Sequence, residues 1–243
     1  MAFMTKFHPM LTGASRDQSF IINMNQSPIP FTLDRQRTLE LVGACTLKIR
    51  KSTCDTKRER LAVTIRASGR MQNPGLVFKC MPGGRVATRD FATNPCGCIY
   101  ACQSSAWMYK VVMLQWVEQV LRPYILVVFR YCSSFLLDSF LLDSYKCHMM
   151  ASVVTHINEL GVKVQHIPGG CTGLCQPVDI GVTKPLKYEL RNQWESWMIE
   201  EEVMLDQEPP RREWINTGMM LPPKREQALH GQLQFVISLS PKQ

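Results

Sequence analysis

The feature that most constrains the fold is an alternation of helical and strand-like segments along the middle of the chain. Apolar side chains recur at helical spacing in residues 108–122, and a second helix is predicted at residues 149–160 because Gly161 supplies a common helix-end signal. Short apolar runs at residues 135–144 and 162–167 follow these helices and have the length of buried strands. This alternation indicates an α/β core.

Two prolines are expected to interrupt helices. Pro123 directly follows residues 108–122 and should end that helix, because a proline ring clashes with the preceding helical turn. Pro185 lies inside a long amphipathic stretch at residues 178–204, so we expect it to kink or divide a second, longer helix.

The first half of the chain is predicted to consist mainly of strands and loops. Strand-like segments occur at residues 19–25, 45–51, 61–67 and 76–79. The second and third of these alternate imperfectly between polar and apolar residues, which favours a hairpin. Residues 81–105 are rich in Gly, Pro, Cys and Ser and are predicted to form a loop or an insertion.

One pentapeptide, Ser-Phe-Leu-Leu-Asp, occurs twice in succession, at residues 134–138 and 139–143. A period of five matches neither a helix nor a strand. We therefore interpret one copy as a buried strand that ends in an acid, and the other as an insertion that the fold must loop out.

The composition favours a single soluble, intracellular domain that contacts a polyanion. The chain has 243 residues, of which 45% are hydrophobic and 20% charged, with a formal net charge of +8. A positive charge favours nucleic acid, because contacts with phosphate supply most non-specific affinity. The basic stretch in residues 48–70 either touches DNA or forms the solvated face of two strands. Charged residues interrupt the apolar region at residues 124–145, which excludes it as a membrane span.

The ten cysteines are expected to be reduced, because the N-terminus lacks the apolar segment of a signal peptide. Cys96, Cys98 and Cys102, with Cys80 as a fourth member, could in principle form a thiolate zinc site. Paired Cys-x-x-Cys motifs are absent from the sequence, so unligated thiols in a loop are the preferred interpretation.

An amide or a carboxylate lies at the tip of a predicted strand or at the start of a predicted helix in three places: Asn25, Asp143 and Asp179. Enzymes that cleave or transfer phosphodiesters often hold two Mg²⁺ ions, which require hard oxygen ligands converging from different elements. Aspartates also occur at strand ends for turn or capping reasons, so these residues alone leave both interpretations open.

Three motifs resemble the catalytic domain of pogo, Tigger and Jerky-type transposases, the DDE endonucleases of the mariner superfamily. Residues 23–31 are Asn-Met-Asn-Gln-Ser-Pro-Ile-Pro-Phe, and residues 142–148 are Leu-Asp-Ser-Tyr-Lys-Cys-His. Residues 167–187 run from Ile-Pro-Gly-Gly-Cys-Thr-Gly through Leu-Cys-Gln-Pro-Val-Asp-Ile-Gly to Val-Thr-Lys-Pro-Leu-Lys and are the most specific signal.

The resemblance implies an RNase H-like α/β fold, a mixed five-stranded sheet with flanking helices. The resemblance spans roughly residues 19–215. The domain is predicted at residues 19–208, between an irregular segment at residues 1–18 and a loosely ordered tail at residues 209–243. The first segment is too short for the helix-turn-helix modules of such relatives.

Carried over by position, Asp143 and Asp179 are implied to be the second and third catalytic acids and ligands of Mg²⁺ or Mn²⁺. Asp138 rivals Asp143, which is preferred because it runs directly into the rest of the second motif. Asn25 replaces the first acid, and its neutral amide cannot bridge two cations as a carboxylate does. We therefore expect impaired catalysis, and a non-catalytic DNA- or protein-binding relic is the alternative.

The resemblance also implies DNA as a partner and a nuclear location. Lys184, Lys187, Lys48 and Arg50 are the predicted nucleic-acid contacts, with a solvated helix face as the alternative for the first two. His148 lies either near the metals or at the start of the next helix. No membrane association is expected, and a homo-oligomer is left open.

Overall fold

The computed structural model describes residues 21–30, 58–131 and 137–203, and in this part of the chain six strands form one sheet. The strands are β1 (Ile21–Pro30), β2 (Arg58–Arg66), β3 (Gly75–Lys79), β4 (Ile99–Gln103), β5 (Leu137–Asp143) and β6 (Val162–Ile167). The helices are α1 (Phe91–Thr93), α2 (Lys110–Trp116), α3 (Arg122–Tyr131), α4 (Ala151–Glu159), α5 (Thr172–Cys175) and α6 (Lys184–Val203). Three π-helical turns lead directly into α1, α3 and α6, namely Val86–Asp90, Val117–Leu121 and Val178–Thr183.

The sheet has the strand order β4–β3–β2–β1–β5–β6 and is mixed. β2 is antiparallel to both β1 and β3, whereas β1 with β5, β5 with β6 and β3 with β4 are parallel. The α/β class is confirmed, with six strands where five were expected. The hairpin partner predicted for β2, at residues 45–51, lies outside the described residues.

Strand β4 corrects the prediction of a loop at residues 81–105. It has only five residues and is paired on one side, with β3. Gly97 precedes this strand closely and Ser104 follows it. So short a strand between turn-forming residues shows too little alternation to be recognised from the sequence.

The central strands bury side chains on both faces of the sheet, because successive residues of a strand point to opposite sides. Ala62 of β2 packs in a core with helices α2, α3 and α4, whereas its neighbours Leu61 and Val63 pack with α6. In the first core Trp116 stacks on Phe140 with ring centroids 5.6 Å apart. The sheet is therefore the middle of three layers.

The prediction that Pro123 ends a helix is wrong, because α2 continues through the second π-turn into α3. In that turn the Arg122 backbone N–H donates to the Val117 carbonyl, five residues back rather than four. The wider turn relieves the clash between a proline ring and the preceding turn. The same arrangement recurs at Pro185: the third π-turn runs directly into α6, of which Pro185 is the second residue, so the helix is not divided there.

The helical stretch Lys110–Val128 is long and apolar enough to cross a membrane, by length and composition alone. Half of it is buried inside the molecule, and the core helix of a soluble protein meets the same criterion. Its buried side chains include Met113, Trp116 and Leu121, which belong to the core on one face of the sheet.

Strand β5 accommodates the repeated pentapeptide through an irregularity in its pairing. Between Leu137 and Phe140 the register with β6 shifts, which is the signature of a β-bulge. The second copy, residues 139–143, forms the end of the strand, as expected for one of the two copies. Asp138 lies at the bulge, about 16 Å before Asp143 along an extended strand.

A disulfide joins Cys80 to Cys102, so the expectation of reduced thiols is wrong for this pair. Cys80 directly follows β3, and Cys102 of β4 pairs with Phe78, which brings the two side chains together across neighbouring strands. Cys96 and Cys98 are free. Within the described ranges, no three His, Cys, Asp or Glu side chains are arranged to hold a metal ion, so the zinc alternative finds no support.

Candidate active site

A cleft of about 280 Å³ opens at the carboxyl end of β5. Strand β1 pairs with β5 only through Ile21–Asn23 and then continues to Pro30, so its second half forms one side of the cleft. The cleft is lined by Asn25, Gln26, Ser27, Pro28, Arg60, Trp107, Asp143, Tyr145, His148, Thr172, Asp179 and Lys187. The three polar positions singled out in the sequence therefore meet in one cleft.

The register of the two strands explains why Asn25 and Asp143 are neighbours. β1 and β5 are parallel, and Asn23 pairs with Leu141. Asn25 and Asp143 each lie two residues further in the same direction, and residues two apart on a strand point to the same face. Both side chains therefore project from adjacent strands towards the same side of the sheet.

Asn23 joins β1 to the segment that carries Asp179. Its Nδ2 donates to the Leu141 carbonyl at 3.0 Å and to Gln176 Oε1 at 3.1 Å. Its Oδ1 accepts from the Val178 backbone N–H at 2.9 Å. Gln176 also donates to the backbone of β1, at 3.3 Å. These buried bonds attach the beginning of the third π-turn, and with it Asp179, to the sheet.

This role of Asn23 and Gln176 was missed from the sequence, where both residues are only part of the quoted motifs. They are 3% and 0% exposed. The available signal was a polar residue inside an otherwise apolar strand, because a buried amide must find partners. Those partners lie more than 100 residues away along the chain, so the sequence does not reveal them.

Asp143 is held in place by His148. The His148 Nδ1 lies 2.5 Å from Asp143 Oδ1, and the Tyr145 backbone N–H donates to the same oxygen at 3.2 Å. Burial raises the pKa of Asp143, but the hydrogen bond and charge of His148 outweigh it and bring that pKa below its usual value. Burial also lowers the pKa of His148, yet the bond to Asp143, with a contribution from Cys147, raises it to about 9. The pair is therefore ionic at neutral pH, with His148 as donor.

Asn25 and Asp179 have different local partners. The Asn25 Oδ1 accepts the backbone N–H of Gln26 at 2.7 Å, and the residue is only 7% exposed. Asp179 is the second residue of the third π-turn. Its Oδ1 accepts a hydrogen bond from the Thr183 hydroxyl at 3.1 Å. The cleft therefore offers two carboxylates and one neutral oxygen that is already bonded.

A stacked column of side chains, also missed from the sequence, lines the cleft with these acids. The Arg60 guanidinium carbon lies 3.3 Å from the centroid of the Trp107 ring. Trp107 stacks on Tyr145 at 5.4 Å, and Tyr145 meets His148 edge-on at 5.7 Å. The column connects a fixed cation to the imidazole that holds Asp143.

Of the predicted nucleic-acid contacts, Lys187 lines the cleft. Lys184 is exposed at the beginning of α6 and is not part of the cleft lining. Lys48 and Arg50 lie outside the described residues. The apolar stripe predicted for residues 178–204 is confirmed at Leu186 and Leu190, which are buried in the core, and is wrong at Ile180, which is 49% exposed.

Comparison with known proteins identifies the family of the chain. Residues 59–230 match the family model described as DDE superfamily endonuclease. A Mus musculus protein, "Pogo transposable element with KRAB domain", is 25% identical over 177 residues, which are 73% of this chain and 27% of that protein. The chain thus spans about a quarter of the length of this curated relative.

Two solved structures share the fold at low sequence identity. The structure titled "Crystal structure of a pre-cleavage Mos1 transpososome" has a TM-score of 0.53 and 11% identity, covering 97% of this chain and 58% of that chain. The structure titled "Crystal structure of the Mos1 mariner paired end complex with Mn" has a TM-score of 0.51 and 11% identity, covering 81% and 52%. The expected RNase H-like fold is confirmed. The chain therefore belongs to the DDE superfamily endonucleases, and it is similar to a pogo-type protein in sequence and to the Mos1 structures in fold.

Proposed function

We propose that this domain binds DNA in the cleft and that Asn25 has impaired the metal-dependent strand cleavage of its transposase ancestors. The single observation that carries the proposal is the convergence of Asn25, Asp143 and Asp179 on one cleft. Two positions hold the acids that the family resemblance requires, and the third holds a neutral amide.

The donor set fits a pair of divalent cations poorly. Such a pair needs anionic oxygens that bridge and flank the metals, and this cleft has two carboxylates in place of three. The Asn25 oxygen is engaged by the Gln26 N–H, and Asp143 Oδ1 already accepts two hydrogen bonds. One of the Mos1 structures described above is titled as a complex with Mn, which describes that complex and not this chain. We therefore derive no catalytic step through a metal in this chain.

The binding half of the proposal is supported by the cations of the cleft. Arg60 and Lys187 both line it, and such side chains commonly contact the phosphates of DNA. The net charge of +8 favours the same partner. The similar structures are transposase complexes, two of them titled as a pre-cleavage transpososome and a paired end complex.

A supercoiled-plasmid nicking assay in Mg²⁺ or Mn²⁺ tests the catalytic half. We expect no nicking above background from the unchanged chain and measurable nicking from Asn25→Asp. The double variant Asn25→Asp with Asp179→Ala is the matched control and should be silent again. Robust nicking by the unchanged chain that Asp179→Ala abolishes contradicts the proposed impairment.

The DNA-binding half is tested separately by measuring affinity against salt concentration. A slope and affinity indistinguishable from those of an unrelated basic protein of equal charge would remove its support. The proposal includes a nuclear location, which fluorescence imaging of the tagged full chain tests. A homo-oligomer is tested by light scattering on the same chain with and without DNA.

A further inference from the structure

We infer that one exposed face of α6 is an interface with a second copy of this chain, in which the two α6 helices pair antiparallel. The exposed face comprises Lys184, Tyr188, Glu195 and the helix position of Glu202. The inference goes beyond the proposed function, because the interface needs neither DNA nor a metal ion. It assigns a surface to the homo-oligomer that the sequence leaves open.

The helical period defines this exposed face. Leu186 attaches the opposite side of α6 to the core. Lys184, Tyr188 and Glu195 follow one another at intervals of four and seven residues, which places them on one side of a helix, and all three are exposed. Glu202 lies seven residues after Glu195, at the same position of the helical period. A stripe of four positions therefore runs along α6 for about 27 Å.

The charges of α6 change sign along its length. Its first ten residues carry three cations and one acid, and its last ten residues carry four acids and no cation. The acids extend into the last turn, where the helix dipole favours cations instead. The stability of the helix alone therefore does not account for this distribution. An antiparallel second copy does account for it, because the basic half of each helix then lies beside the acidic half of the other.

The exposed face offers groups that lack a partner within the fold. Among the residues that the structure describes, neither Lys184 nor Glu195 forms an ion pair. Tyr188 lies between them and is 68% exposed, and tyrosine is enriched at the centres of protein interfaces. None of the three lines the cleft, so a second copy on this face leaves the cleft open.

Two-fold symmetry determines which residues meet. An interface between two identical copies uses the same patch twice, so each contact occurs twice. With the two-fold axis at the level of residue 193, Lys184 of each copy lies opposite position 202 of the other, about 14 Å from the axis. The contact is limited to one helix from each copy and is therefore small. We expect a weak, reversible dimer.

Sedimentation velocity of the full chain over a concentration series, without DNA, measures this dimer. We expect dissociation in the micromolar range. Lys184→Glu should weaken the dimer about tenfold, because it makes both copies of the Lys184–Glu202 pair repulsive, and Glu202→Lys should weaken it to a similar extent. Lys163→Glu makes the same charge change at an exposed lysine of β6. It is the matched control and should change the dissociation constant less than about twofold.

A mixture of Lys184→Glu and Glu202→Lys tests the pairing itself. In the mixed dimer each reversed side chain faces one of opposite charge, so both pairs become attractive again. Energy transfer between the two variants, each with its own fluorescent label, should show association about fivefold or more tighter than the self-association of either variant. Thermal melting verifies that each variant is folded.

Three results would overturn the interface: an unchanged chain that is monomeric at about 100 μM, equal losses for Lys184→Glu and Lys163→Glu, or no recovery in the mixture. These results leave the proposed function in place, because no variant changes a residue that lines the cleft. Failure of the salt-dependent DNA measurement contradicts the proposed function and does not affect dimerisation measured without DNA.

Discussion

Replacement of Asn23 by aspartate should destabilise the domain, because the Asn23 side chain joins β1 to β5 and to the third π-turn. The Asn23 side chain is 3% exposed, and its Nδ2 donates to two oxygens, the Leu141 carbonyl at 3.0 Å and Gln176 Oε1 at 3.1 Å. An aspartate of the same shape has no donor at that position. Its second oxygen would face both acceptors, while the bond from the Val178 N–H would survive.

The expected cost follows from this inventory. Two buried hydrogen bonds are lost, and leaving a buried partner unsatisfied costs about 1–3 kcal/mol. An uncompensated buried charge costs about 3–5 kcal/mol, unless the carboxyl group takes up a proton. We therefore expect Asn23→Asp to lower the free energy of unfolding by about 4 kcal/mol, which is a large part of the 5–15 kcal/mol typical of a domain.

Asn25→Asp is the matched control, because it makes the same chemical change two residues along the same strand. The Asn25 side chain acts as an acceptor for the Gln26 N–H, and a carboxylate keeps that bond. Arg60 and Lys187 line the same cleft and favour a negative charge. We expect its free energy of unfolding to stay within about 1 kcal/mol of the unchanged chain.

Urea denaturation followed by tryptophan fluorescence and by circular dichroism measures both variants, with the slope checked for a two-state transition. The Asn23→Asp midpoint should fall sharply and the Asn25→Asp midpoint should stay near that of the unchanged chain. Equal midpoints for the two variants, or an Asn23→Asp loss under about 1 kcal/mol, would refute the assignment of Asn23 as the link between the strands and the third π-turn.

Three other outcomes are expected. The His148 pKa of about 9 lies above its ordinary 6.5, so its pairing with Asp143 stabilises the fold fully below pH 6.5. The free energy of unfolding should fall by about 3 kcal/mol as the pH rises through 9. Urea denaturation of the unchanged chain at several pH values measures this fall, and the fall should vanish in Asp143→Asn. Gly161 has φ of +77°, so Gly161→Ala should destabilise by about 1 kcal/mol in the same assay. Reduction of the Cys80–Cys102 bond, which joins residues 22 apart, should lower the unfolding free energy by about 3 kcal/mol, whereas the double serine variant should be insensitive to reductant.

The sequence predicts those parts of the fold whose determinants are local. Strand β6 was predicted with its observed bounds, because an apolar run between Gly161 and Pro168 marks both ends. Helix α4 was predicted for a similar reason, because Gly161 marks its end. Each of these elements carries its own start or stop signal within a few residues.

Elements without such signals were mispredicted. Pro123 is a strong local stop signal, but a π-turn with a bond five residues back absorbs it, and nothing in the sequence announces that wider turn. Strand β4 is short, lies at the edge of the sheet and is defined by its pairing with β3. The Cys80–Cys102 bond depends on the same pairing, so it could not be predicted before β4 was known.

The candidate site divides in the same way. Asn25, Asp143 and Asp179 were found by their motifs, and the register of two parallel strands accounts for the first two. Arg60 and Trp107 are in contact but lie far apart in the sequence, so no local sequence pattern could have predicted their contact. Their contact exists only because the sheet carries Arg60 to the cleft and the loop before α2 brings Trp107 beside it.

The two asparagines of β1 show why loss of an acid need not disturb the fold. Asn23 and Asn25 point to the same side of the strand, but among the residues that the structure describes only Asn23 bonds to other elements. Asn25 bonds to its neighbour Gln26, and its remaining surroundings belong to the cleft. The chemistry at position 25 can therefore change without cost to the bonds that assemble the site. A chain with an amide at this position keeps the cleft, the carboxylates of Asp143 and Asp179 and the cations around them, as the proposed binding without cleavage requires.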